Sequence, residues 1–171
     1  MNPLRLRALV TRLPDDISVS LAAQALLGQA VQAEVMMDTL IASRLGRSTY
    51  EVLLLQSKAI CQLSINAKLG LLQEILEAER WDDDFPFVLP VLRALFTLRN
   101  KLAHSLPYEF DGADQGELTA NLWSSRRGAV KIEQVSLATM VGLVHSAQHV
   151  TQVDMQFLHV RALPEEYWTA E

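Results

Sequence analysis

The sequence predicts an all-α domain, a five-helix up-and-down bundle with a small β-hairpin between the fourth and last helices. Three observations carry that expectation. Apolar residues recur at helical spacing over most of the chain. Helix caps and proline stops fall between the periodic runs. Alternation at strand spacing is confined to one glycine-punctuated stretch, residues 108–133. At 171 residues, half of them apolar and a fifth charged, the chain has the length and balance of one globular domain, 1–171.

The first helix runs from Asp15 to Leu45. Either Asp15 or Asp16 caps it, and both place negative charge in the first turn, where the helix dipole favours it. Ile17, Leu21, Ala25, Leu26, Ala30, Val31, Val35, Leu40 and Ile41 spread apolar character over more than one face. Such a helix is expected to pack against its own core and a second subunit. Gly46 stops it. Ser48-Thr49-Tyr50-Glu51 then reads as a capping box for a second helix carrying Val52, Leu53, Leu55, Ala59 and Ile60.

Ser64 caps a third helix over Ile65–Glu79, with Leu69, Leu72, Ile75 and Leu76 inward. Asp82-Asp83-Asp84 lacks the glycine and downstream glutamate of a calcium loop, and reads as a solvated loop before the fourth helix. Pro86 and Pro90 belong just before or within the first turn, because proline in a helix interior costs about 3 kcal/mol. The stripe Val91, Leu92, Leu95, Phe96, Leu98, Leu102 and Ala103 leads to His104, and Pro107 ends the helix. Leu118–Trp123 and Ala129–Ile132 suggest the hairpin, with Trp123 either at an interface or over the core and Arg126-Arg127 at an exposed tip. The last helix, about Ser136 to Val160, carries Leu137, Met140, Val141, Val144, Ala147, Val150, Val153 and Phe157, and Pro164 closes it.

Composition narrows the function classes. No run approaches the roughly 18 apolar residues of a membrane span. Met1–Val10 has Arg5 and Arg7 but too short an apolar run for a signal peptide, so a cytoplasmic protein is expected. The lone Cys61 excludes internal disulfides and reads as a small buried side chain. A net charge of −5 argues against broad nonspecific binding to nucleic acid, so any contact with RNA must be local. His145 and His149, one turn apart, have metal-ligand spacing without a nearby third ligand, and read as a half-exposed helix face; no metal or cofactor is expected.

The chemistry concentrates in Leu98-Arg99-Asn100-Lys101-Leu102-Ala103-His104. Arg99 is a permanent cation, and His104 carries an imidazole, a group able to give or take a proton. Together they provide what a phosphodiester needs: a group for its anionic oxygens and a group to move a proton. Positions 99 and 104 lie about 140° apart on a helix, so one chain does not easily aim both at one atom. A two-fold dimer brings two such helices together.

In this Arg-Asn-Lys-Leu-Ala-His string the chain resembles the HEPN superfamily, helical bundles marked by an arginine, often followed by a polar residue, and a histidine a few positions on. The resemblance spans roughly Asp15 to His104 plus the long last helix, and is architectural outside the string. It implies a metal-independent endoribonuclease acting as a homodimer, with both copies of Arg99 and His104 lining one cleft. Arg99 would hold the phosphate and stabilise transition-state charge. His104 would move a proton at the ribose 2′-hydroxyl or the leaving oxygen. Asn100 would orient the imidazole or bind substrate, and Lys101 would assist in binding. A toxin-like effector paired with an antitoxin or regulatory protein belongs to the same reading. Some toxin-type members carry a tyrosine two residues after the histidine; here Leu106 stands there, and Tyr108 lies beyond Pro107. The alternative is a non-catalytic regulator or interaction protein, similar in architecture to the mannitol-operon-repressor group.

Overall fold

A computed structural model describes residues 15–104, 108–111, 119–126 and 129–163. In chain order the elements are α1 (Asp15–Leu45), α2 (Thr49–Lys58), α3 (Ile65–Glu79), α4 (Val88–His104), β1 (Tyr108–Asp111), β2 (Thr119–Arg126), β3 (Ala129–Ser136), α5 (Leu137–His149) and α6 (Met155–Ala162). A π-helical turn, Val150–Asp154, joins α5 to α6, so the expected last helix is continuous but carries a wider turn inside it. The protein is mostly helical, and among the described residues no helix is long and apolar enough to cross a membrane.

Local chemistry accounts for the boundaries. Gly46 follows α1 where a Cβ would lie 2.7 Å from Val52 Cγ2 and 2.9 Å from the Val52 nitrogen, so only glycine lets the chain turn this tightly into α2. Ser48 Oγ accepts from the Glu51 N–H at 3.3 Å, while Glu51 Oε2 accepts from the Arg47 N–H at 2.8 Å. That is the expected capping box, with the carboxylate reaching one residue further back. Ser64 Oγ accepts from the Ala67 N–H and starts α3. Arg80 ends α3 in the left-handed conformation (φ 58°, ψ 35°), and the Trp81 N–H donates to the Leu76 carbonyl at 2.8 Å. Pro86 and Pro90 fall at the start of α4, as their missing N–H groups require.

The expected hairpin is present as β2–β3, with Trp123 opposite Ile132. β1 adds a third antiparallel strand, giving the order β1-β2-β3, with Tyr108 opposite Leu122. The side chains of Trp123 and Arg126, and all of Arg127, Leu106, Pro107 and Pro164, lie outside the described residues, as do Met1–Val10.

The chain divides into two compact units. In the first, residues 15–30 and 94–148, the buried residues include Leu26, Leu95, Phe96, Leu102, Leu122, Met140 and Val144. Gln29, buried there, donates to the Ala147 carbonyl at 3.4 Å. In the second, residues 31–93 and 149–163, Ile41, Ala42, Ile60 and Ile75 form a cluster covered by Val52, Leu55, Leu63, Leu71 and Trp81.

One expectation about burial is corrected. Cys61 is exposed: it sits in the 3-10 turn Ile60–Gln62, where Ile60 takes the buried position and the thiol donates outward to the Ser57 carbonyl. On α1, Met37 and Leu40–Ser43 are buried while Val31 and Val35 are 62% and 54% exposed in the single chain, so its apolar residues do lie on more than one face.

Candidate functional site

The apolar stripe of α4 places Val88, Leu92, Leu95, Phe96, Leu98 and Leu102 in the interior. The helical period then puts Arg93, Thr97, Asn100, Lys101 and His104 on the opposite, exposed face. Arg99 stands about 100° from Asn100 around the axis and is half-buried at the edge of that face. Its guanidinium Nη1 donates to Asn100 Oδ1 at 2.9 Å.

Asn100 and His104 are one turn apart, so the residue that holds Arg99 also shares a face with the imidazole. His104, at the C-terminal end of α4, is exposed. Lys101, one turn before it, pairs with Glu133 of β3, Nζ to Oε2 at 2.7 Å. All four predicted site residues therefore lie on one end of α4 and its exposed border, with a carboxylate from the sheet added to them. Glu133 has no local sequence signature, because its pairing with Lys101 exists only once β3 is placed.

This surface presents two cationic side chains with an imidazole beside them. Arg99 offers several N–H donors in a fixed fork, Lys101 a point charge, and His104 a ring that gives or takes a proton.

Other polar clusters are structural in character. In the second unit Lys68, 1% exposed, donates to Glu34 Oε1 at 2.8 Å and to Asp38 Oδ2 at 2.9 Å. Asp38 Oδ1 also lies 2.8 Å from Nζ, off hydrogen-bonding geometry, and among the described residues has no other hydrogen-bond donor. Burial pushes the Lys68 ammonium down, but the hydrogen bonds and charges of Asp38 and Glu34 outweigh it and hold it above its ordinary value. A signal for this pair exists in the sequence: Lys68 falls on the same stripe as Leu69, Leu72, Ile75 and Leu76, and a lysine there needs a carboxylate partner. Ser43, buried in α1, lies 3.4 Å from Nδ1 of His159 in α6, and desolvation lowers the His159 pKa. Arg161 binds Asp84 at 2.8 Å and lies 5.3 Å from the Phe85 ring centre, tying the acidic loop to α6. His145 and His149 are both exposed, and the His149 ring lies 3.7 Å from Asp154. Among the described residues no three metal-ligating side chains gather.

No family model, curated protein or solved structure matches the chain.

Proposed function

We propose that the chain is a HEPN-like, metal-independent endoribonuclease, cytoplasmic and acting as a homodimer whose cleft is lined by Arg99 and His104 of both copies. The observation that carries this reading is the exposed end of α4. There Arg99, Asn100, Lys101 and His104 gather, with the guanidinium held by Asn100.

In this mechanism Arg99 holds the anionic oxygens of the scissile phosphate and stabilises the charge that builds on them. One His104 takes the proton of the ribose 2′-hydroxyl as its oxygen bonds to phosphorus. The P–O5′ bond breaks, and the second copy's imidazolium supplies the proton to the leaving oxygen. The products are a 2′,3′-cyclic phosphate and a 5′-hydroxyl. Lys101 adds a phosphate contact next to the cleft. The net negative charge confines RNA contact to this surface, as expected for a selective effector rather than a general RNA-binding protein. A toxin-like role with a neutralising protein partner is compatible with the same site.

The test is cleavage of single-stranded RNA with EDTA present. Wild type cuts, and His104→Ala and Arg99→Ala each lose at least about a hundredfold in rate. Activity unchanged in both variants sinks the proposal.

The engagement of Lys101 by Glu133 favours the second reading, a non-catalytic regulator in which the same face is structural. That reading requires no cleavage by wild type and a loss of stability in the Arg99 variant.

A further inference from the structure

We infer that Glu133 is an internal competitor for RNA phosphate at Lys101, setting how tightly the site engages its substrate; the inference rests on the reading of Arg99 and His104 as an RNA site.

Three observations lead to it. First, the Lys101 ammonium is 2.7 Å from Glu133 Oε2, a charge-assisted contact. A carboxylate oxygen presents to an ammonium the same anionic acceptor that a phosphodiester oxygen does. Second, Lys101 precedes His104 by three residues, so the two share one side of α4, about 60° apart. The carboxylate is therefore drawn to the histidine side of the helix end rather than to a remote surface.

Third, Glu133 is placed by backbone pairing. It stands directly opposite Leu122 in the β2–β3 register, and directly opposed residues share a sheet face. Leu122 is buried, so Glu133 projects from the inward-facing side of the sheet and is only a quarter exposed at its side chain. Backbone pairing therefore fixes the side of the sheet from which Glu133 reaches Lys101. The pair is still partly solvated, with Lys101 43% exposed, and an ion pair of that kind is weak enough for a phosphate to displace.

Neutralising Glu133 releases Lys101 from this carboxylate and removes repulsion between it and an arriving phosphate. Affinity for single-stranded RNA should rise about two- to fivefold, the range that corresponds to a partly exposed ion pair. The salt dependence should steepen by about one phosphate contact.

The experiment measures binding of a short single-stranded 2′-O-methyl oligoribonucleotide, which lacks the attacking hydroxyl, by fluorescence anisotropy at two salt concentrations. Wild type, Glu133→Gln, Lys101→Ala and the Glu133→Gln/Lys101→Ala double variant are compared, with Glu133→Ala as a second neutralising variant and thermal melting as the check on folding. The expected result is tighter binding in both Glu133 variants, weaker binding in Lys101→Ala, and no gain from Glu133→Gln once Lys101 is gone. If wild type binds but the Glu133 variants do not tighten, or the gain persists without Lys101, the role of Glu133 is overturned and the RNA site stands. If no variant binds, the RNA site and the competitor fall together.

Discussion

Arg99 Nη1 donates to Asn100 Oδ1 at 2.9 Å, a hydrogen bond between adjacent residues that point to different sides of the same helix. Adjacent positions on a helix stand about 100° apart, so the contact forms only where the two side chains lean toward each other along the surface. The asparagine is thus a positioning residue for the guanidinium.

Asn100→Ala removes that hold. The rate of RNA cleavage in EDTA should fall about tenfold, the loss of roughly one charge-assisted hydrogen bond of modest strength. Asn100→Asp keeps an acceptor at the same place and should restore most of it. Equal rates for wild type and Asn100→Ala in single-turnover kinetics contradict this role.

Lys68→Met should destabilise the fold by about 3–5 kcal/mol, because it leaves the Asp38 carboxylate buried without its counter-charge. Replacing Asp38 by Leu and Glu34 by Gln in the same chain should recover most of the loss. Urea melts of the single and triple variants measure both changes. The ammonium is held above its ordinary 10.5, so the stability it contributes is complete below that pH and declines as pH rises through the folded-state value.

The opposite sign applies to His159. Desolvation holds its pKa below the ordinary 6.5, so the unfolded chain takes up the proton first as pH falls. Its effect is absent above about pH 6.5; stability then drops as pH falls toward the folded-state value and is level below that. Thermal melts across this range should show the slope in wild type and a shallower one in His159→Gln. An unchanged slope in the variant assigns the pH dependence to other groups.

Helix ends were the most legible part of the fold. Ser48, Gly46, Ser64, Pro86 and Pro90 act within a turn or two of their own positions, so the chemistry that places a boundary is written beside it. The four-residue strand Tyr108–Asp111 was missed although its residues alternate, because four residues are too short a run to mark a strand and its hydrogen bonds come from β2. The π-helical turn at Val150–Asp154 was missed because one extra residue leaves an apolar helix looking continuous. At the candidate site, the gathering of Arg99, Asn100, Lys101 and His104 at one helix end follows from their local spacing, while their proposed roles come from the resemblance. Glu133 was not legible, because only the sheet brings it to Lys101.

The most direct measurement of the central claim compares a single-stranded RNA oligonucleotide with its 2′-deoxy counterpart, in EDTA, using wild type and His104→Ala. Wild type should cut only the RNA, leaving 2′,3′-cyclic phosphate ends, and His104→Ala should lose this cleavage by at least about a hundredfold. Cleavage of both oligonucleotides at similar rates, or full activity in His104→Ala, contradicts it.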